Sequence, residues 1–362
     1  MPKMTRVLAG FVAAWAVAHA IEAVAQTRSG RDVYEAACAT CHASDGRGTT
    51  AAAADYPLPR PDFTDCNFAT REPDLDWLAV SHAGGPARGF DRLMPAFGES
   101  LSREELKRAL AHVRTFCTST AWPRGELNLP RPLFTEKAYP EDEYVVTVVA
   151  SEGAVTNKFV YEQRIAARNQ FEVVVPVELS EQSANDWTGG VGDLAFAFKR
   201  VLAHSLRRGS IVSASAELVV PTGSTERGIG GGTTAVEPFV TVGQILPGQA
   251  FVHVQAGGGF PFDRNLPDEA FWRTAIGRKF MQGEFGRIWS PMVDVLASRE
   301  FVADAKTHWD VAPQMQVTLS ARQHIMLNAG VRIPVNERSG RSTQFVMYFL
   351  WDWFDGNLVT GW

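Results

Sequence analysis

From residue 144 onward the chain alternates, and alternation limits it to sheet. In FEVVVPVEL, Phe171, Val173, Val175, Val177 and Leu179 share one face. In DLAFAFK, Leu194, Phe196 and Phe198 oppose Ala195, Ala197 and Lys199. In PQMQVTLS, Met315, Val317 and Leu319 oppose Gln314, Gln316 and Thr318, and HIMLNAGVRIPV and QFVMYFLWDWF continue the pattern. Successive side chains of a strand point to opposite faces, so a period of two means an apolar face and a polar one. About twelve such segments follow, near 143–150, 154–165, 169–179, 191–203, 209–221, 235–246, 249–261, 269–281, 286–297, 311–320, 323–335 and 343–354. A large soluble sandwich and a membrane barrel would both show this. Three features favour the barrel. Many segments run to about 10–13 residues, nearer the span of a tilted transmembrane strand than the usual globular strand. The polar face carries Asn, Gln, Asp, Arg and Gly, as a wet lumen would. Trp272, Trp289, Trp309, Trp351, Trp353 and Trp362 are spaced to form interfacial girdles.

Residues 26–120 have a different rhythm. SLSREELKRALAHVRTFC offers Ser102 and Glu105 as a capping box, followed by Leu106, Ala109, Leu110, Val113 and Phe116 at helical spacing. DVYEAACATCH forms a second helix ending at Cys38-x-x-Cys41-His42. Between the halves, residues 121–142 hold four prolines and no period, and read as a Pro-rich linker or an extended crossing segment. The N-terminus reads as a secretory signal over 1–25: basic Lys3 and Arg6, a short apolar run at 7–18, and Ala23 and Ala25 before Gln26. The run is too short to span comfortably as an uncleaved anchor. Export places the chain where disulfides form. The formal net charge of −5 argues against a nucleic-acid partner.

The Cys-x-x-Cys-His motif has several possible meanings. A zinc site needs four ligands, and Cys66 and Cys117 stand alone. A redox dithiol wants a βαβ context, which is absent. Covalent haem fits: Cys38 and Cys41 reach the two vinyl groups from one helical turn, and His42 becomes the proximal ligand. Met94, in RLMPAFGESLS, is the expected sixth ligand, because it precedes a proline in a loop close to the capped helix. The competitors are His82, read as a helix-end histidine, and His112, read as a surface residue.

YEAACATCHASDGRG and LMPAFGESLSREELKRALAHVRTFC together resemble class I cytochrome c domains over roughly residues 30–118. The resemblance implies one covalent haem c on Cys38 and Cys41, with His42 proximal and Met94 distal, and crossed first and last helices. YPLPRP, with Pro57, Pro59 and Pro61, loosely resembles the segment that orients the proximal histidine. Cys66 and Cys117 lie outside the family pattern; a disulfide is the expectation and two buried thiols the alternative. YEQRIAARNQFEVVVPVEL, GVGDLAFAFKRVL and AELVVPTGS resemble strands of small outer-membrane barrels associated with aromatic-compound degradation. The overall plan resembles the fused cytochrome–porin iron oxidases of bacterial outer membranes. Here, however, the haem segment is full-sized and only about 210 residues remain for the barrel, so iron oxidation is not carried over.

The fold expected is α + β multidomain: an all-α class I cytochrome c domain (26–120), then an antiparallel transmembrane β-barrel of about 12 strands (143–362). Twelve strands enclose a backbone diameter of roughly 24 Å, whereas a cytochrome is about 30 Å across. The cytochrome should therefore cap one mouth, the one facing the periplasm, where barrel termini normally lie. The function expected is single-electron transfer between a periplasmic electron carrier and a donor or acceptor reached through the barrel, in contact with outer membrane lipid. A soluble two-domain cytochrome serving a dehydrogenase, and a transport porin with a cytochrome lid, are the alternatives. No hydrolytic site stands out: Asp186, Asp193 and Glu217 read as solvated carboxylates, and GSTERGIGGGTTA as a flexible hairpin loop.

Overall fold

The computed structural model describes residues 28–49, 61–183, 186–355 and 358–359. The export signal, Gln26, Pro57, Pro59 and Trp362 lie outside them. Among the described residues, five short α-helices come first: α1 (Gly30–Ala37), α2 (Ala39–His42), α3 (Cys66–Ala69), α4 (Asp74–Ala83) and α5 (Arg103–Val113). Both α1 and α5 begin with a capping box. Ser29 Oγ accepts from the Asp32 amide, and the Asp32 carboxylate accepts from the Ser29 amide. Ser102 and Glu105 repeat the arrangement. Each box satisfies two amides that a helix start leaves without partners. The helix expected to run into the haem motif breaks at Cys38, whose φ of −114° separates α1 from α2.

Helices α1 and α5 pack face to face, with Val33, Leu106, Ala109 and Leu110 buried together. Their approach depends on Gly30, where a Cβ would lie 2.1 Å from the Arg108 carbonyl oxygen. A disulfide joins Cys66 to Cys117, tying the start of α3 to the segment after α5, with Cα atoms 5.0 Å apart.

Twelve antiparallel strands follow: β1 (Glu143–Ser151), β2 (Ala154–Ile165), β3 (Asn169–Ser183), β4 (Asp186–Val191 continued by Leu194–Ser205), β5 (Ser210–Val220), β6 (Ala235–Ile245), β7 (Ala250–Pro261), β8 (Glu269–Arg278 continued by Phe280–Met281), β9 (Ile288–Glu300), β10 (His308–Thr318), β11 (Ile325–Pro334) and β12 (Gln344–Asp352). Each pairs with the next, and β1 pairs with β12 from Glu143↔Asp352 to Ala150↔Phe345. The sheet is therefore a closed barrel with no free edge. The segment boundaries read from alternation fall within a few residues of these strands. The main departures are β3 and β4, which extend further into their shared hairpin than the apolar pattern does, since backbone pairing continues there past the last apolar residue.

Side chains sort by face. On β10, Asp310, Ala312, Gln314, Gln316 and Thr318 point inward and are buried, while Trp309 and Met315 are exposed outside. Exposed Trp187, Trp272 and Trp309 lie toward one end, and Trp289, Trp351 and Tyr144 toward the other, where Tyr144 stacks on Trp351 at 5.5 Å. The turns 166–168, 206–209, 246–249, 282–287 and 319–324 share the second mouth with both ends of the barrel; the longer loops 221–234, 262–268, 301–307 and 335–343 ring the first. Among the described residues no helix is long and apolar enough to cross a membrane.

Residues 121–142 are not a solvated linker: they run into the lumen from the short-turn mouth and back out to β1. The Pro130 carbonyl meets His253 Nε2 at 3.1 Å, the Arg131 carbonyl accepts from Tyr348 Oη at 2.6 Å, and Asp294 accepts from Thr135 Oγ1 at 2.5 Å. Four prolines suit the task, because proline keeps a chain extended and lacks a donor that would need a partner.

Candidate functional site

The motif helix brings Cys38, Cys41 and His42 to one corner of the helical domain. Tyr34, one turn before Cys38, is fully buried, and its hydroxyl donates to the Ala43 carbonyl at 2.6 Å and the His42 carbonyl at 3.3 Å. This ties the turn carrying His42 to α1. Tyr34 was not singled out from sequence, although its helical spacing from Cys38 was visible there. Burial holds its phenol protonated well above the usual range.

The His42 ring stacks on Phe63 at 4.9 Å between centroids. Phe63 in turn packs on Trp77 and Phe68, at 5.4 and 6.4 Å. Phe68, Phe90 and Leu93 expose more than two-fifths of their surface. Of these, Phe68 continues the aromatic wall that starts at His42 and leaves apolar surface there for a ligand to cover. Two thiols, an imidazole and an aromatic wall fit a haem. Burial, then repulsion from Cys41, pushes the Cys38 thiol up to about 11, whereas the reactive thiol of a redox dithiol is lowered.

Met94 is half-buried in the loop after α4. Its amide donates to the Asp91 carbonyl at 3.2 Å, and its carbonyl accepts from the Gly85 amide at 2.9 Å. The competing histidines are engaged elsewhere. His112 packs edge-on against Tyr34 and Phe116, at 5.4 and 5.1 Å, so it is not the plain surface residue expected. His82 ends α4, as expected, and faces Phe285 of the barrel at 5.4 Å.

The helical domain sits on the short-turn mouth. Arg322 donates to the Gly89 carbonyl at 2.9 Å and lies over the Phe90 ring at 4.4 Å. Arg88, buried, bonds Asp76 at 2.7 Å and the Phe285 carbonyl at 2.6 Å. Arg71 pairs with Asp142 at the foot of β1.

Inside the barrel the polar face is not wet at this level, as the sequence suggested, but packed. Arg131 meets Glu162 at 2.7 Å and Glu143 at 3.2 Å; Lys137 meets Glu141 at 2.5 Å and Glu143 at 2.6 Å. Glu143, Glu162, His253, Asp294 and Asn328 are each no more than 1 % exposed. A continuous water-filled bore would expose them. Lumen-wall glycines make room for the insert; a Cβ on Gly330 would meet Leu133 at 2.8 Å. Composition alone could not reveal this filling, although five charged residues between 131 and 142 were a signal that the segment needed partners.

Of the three carboxylates noted in sequence, Glu217 lies on the inward row with Ser213 and Ser215, and Asp186 opens β4 exposed. Asp193 accepts from the Gly223 and Gly231 amides at 2.9 and 2.6 Å. With Ile229 buried to 1 % exposure, those bonds make 223–235 a pinned loop rather than a flexible hairpin.

The molecule is thus a helical cytochrome c domain followed by a closed antiparallel barrel of twelve strands. Residues 25–113 match the family described as cytochrome C oxidase, cbb3-type, subunit III. Among solved structures, the chain is similar to the KdgM porin (7 % identity, 58 % of this chain and 98 % of that one, TM-score 0.39). It is also similar to the NanC porin (7 %, 58 % and 98 %, 0.42) and to the COG4313 outer membrane channel from Pseudomonas putida F1 (11 %, 58 % and 92 %, 0.40). Comparison with curated proteins finds no match.

Proposed function

We propose that this protein is a monohaem c-type cytochrome anchored in the outer membrane by its barrel, exchanging single electrons with a soluble carrier on the periplasmic side. In this reading Cys38 and Cys41 hold the haem through thioethers, His42 ligates one face of the iron, and Met94 closes the other against small ligands. Bound there, the group supplies a one-electron iron couple. Tyr34 and Phe63 position the His42 segment. The short-turn mouth, which holds the barrel termini, corresponds to the periplasmic side in barrels of this type.

The observation that carries the reading is the seating of the Cys-x-x-Cys-His domain on the mouth of a barrel whose outer surface is apolar. The packed lumen bears on the route. A donor reached through the barrel, and a transport porin with a cytochrome lid, both need a bore that residues 121–142 occupy. The barrel therefore serves as anchor, and the electron exchange stays on the cytochrome's side.

Cell fractionation with haem staining of unboiled and boiled gels tests this. The expected result is a haem-stained outer-membrane band that shifts on boiling. In intact cells a membrane-impermeant external reductant should leave the haem oxidised, whereas the same reductant reaches it once the outer membrane is breached. A soluble band without a shift refutes the anchor; prompt reduction from outside refutes the route.

A further inference from the structure

The short-turn mouth is basic. Its turns carry Arg168, Arg207, Arg208, Arg287 and Arg322 against one carboxylate, Glu284, while the carboxylates at the barrel's two ends, Asp142, Glu143 and Asp352, are buried. The loops of the other mouth mix both signs, with Asp263, Arg264, Asp304, Lys306, Glu337 and Arg338. Some of the basic rim is accounted for. Arg322 holds the cytochrome, and nearby Arg114 and Arg124 share Asp74 at 2.8 and 2.7 Å.

In one sector the arginines of the turns have no counter-charge of their own. Residues 165–169, 200–210 and 244–250, and the adjoining 117–125, contain no Asp or Glu. Arg168 donates to the Ala121 carbonyl and Arg200 to Asn169 Oδ1; Arg207 and Arg208 are exposed at the tip of the turn. Among the described residues none of these four has an ion-pair partner within 4.0 Å. The register Asn169↔Arg200 places the β2–β3 and β4–β5 turns side by side.

The same sector is apolar immediately beside its charges. The outward row of β4 reads Leu194, Phe196, Phe198, Arg200, and Leu202 follows on the exposed face. Phe198, Leu202 and Ile165 are about half exposed, at 48, 51 and 47 %. A guanidinium set into a lipid-facing row is costly without an anion beside it. A cavity of about 340 Å³ lies between this turn and the end of the cytochrome domain, lined in part by Ser119, Thr120, His204, Ser205 and Leu206. Its hydroxyls add donors suited to phosphate oxygens.

We propose that this sector is a binding site for an anionic phospholipid in the leaflet on the cytochrome's side. Arg200, Arg207 and Arg208 take the phosphate-bearing headgroup, and Phe198, Leu202 and Leu206 take the upper acyl chains. The site steadies the turn against which residues 117–125, at the end of the cytochrome domain, rest. It rests on the reading that the barrel spans a membrane.

The test uses full-length, haem-loaded protein in non-ionic detergent, doped with phosphatidylglycerol or phosphatidylcholine, and native mass spectrometry to count retained lipid. Phosphatidylglycerol should be retained about tenfold better than phosphatidylcholine. Substituting Arg200→Gln, Arg207→Gln and Arg208→Gln together should remove most of that roughly tenfold preference, bringing phosphatidylglycerol retention down to the phosphatidylcholine level. Arg207→Lys with Arg208→Lys should keep most of it, and Arg227→Gln with Arg264→Gln, at the other mouth, should change nothing. If the triple variant loses its boiling shift, a salt series on the unaltered protein decides: phosphatidylglycerol retention that falls with salt supports the site, and a flat response overturns it. Equal retention of both lipids, or an unaffected triple variant, overturns the proposal while leaving the anchor intact. Failure to insert into vesicles of either lipid brings down the membrane reading itself.

Discussion

The two halves of this molecule are built inside out with respect to each other. In the cytochrome domain the buried cluster is Val33, Leu78, Leu101, Leu106 and Leu110. In the barrel the buried set includes Arg131, Lys137, Glu143, Glu162, His253 and Asp294, while Phe198, Trp272 and Ile276 face outward at about half exposure. One rule gives both arrangements. Apolar surface leaves water wherever it can, and polar groups are buried only with partners. The helical domain can hide its apolar stripe only against itself. A closed sheet can give its apolar face to lipid and must then fill its interior with groups that satisfy one another. The filling comes from residues 121–142, so the segment joining the halves belongs structurally to the second.

The contrast can be tested by substitutions that are costly in one half and mild in the other. The largest effect is expected inside the lumen. Arg131→Ala leaves Glu162 buried without its ion-pair partner and Glu143 with Lys137 alone, and should cost about 3–5 kcal/mol. Urea unfolding in lipid, followed by the boiling shift, would measure it; a cost below 1 kcal/mol on that scale would mean that water reaches the site after all. Next comes the outer face. Val293, near the middle of β9 and exposed outward, should tolerate Leu, whereas Val293→Arg should cost about 2–4 kcal/mol in a bilayer. A neutral Val293→Arg would argue that this face meets water.

In the helical half, Gly30→Ala should cost about 1–3 kcal/mol, because the added methyl meets the Arg108 backbone and the crossed helices must separate. The check is thermal loss of the haem spectrum, with the barrel's boiling shift unchanged. Loss of both together would show one cooperative unit rather than two. The smallest effect is a pH dependence. Bonds from the Ser102 amide, then the Arg28 side chain, then the Ser102 hydroxyl lower Glu105 to about 2. Its folded value lies below its unfolded one, so the stabilisation is complete above the ordinary glutamate range and fades as pH falls from there toward 2. Glu105→Gln should flatten that part of the acid titration of the helical domain; an unchanged profile would assign it to other carboxylates.

Much of this was legible in the chain. The strand segments could be read because a strand's two faces meet different surroundings, and a period of two records that directly. The Cys-x-x-Cys-His corner and the start of α5 were legible because a cap and a haem anchor are local chemistry within a few residues. The lumen was not legible. Alternation says which residues face inward, but it cannot say whether they meet water or another stretch of the same chain. The loop at 223–235 was misread for the same reason, since its order depends on Asp193, some thirty residues away in sequence.

By itself, then, the sequence determined the two rhythms, the inward and outward faces, the caps and the anchoring motif, all of which depend on spacings shorter than one element. Only the tertiary structure decided the register in which β1 closes on β12, that the proline-rich segment fills the lumen, and which contacts seat the cytochrome domain on its mouth. Those outcomes depend on pairings such as Arg131 with Glu162 and Arg88 with the Phe285 carbonyl. Groups so far apart in the chain leave no local pattern, and burial selects their partners only once the surrounding walls are in place.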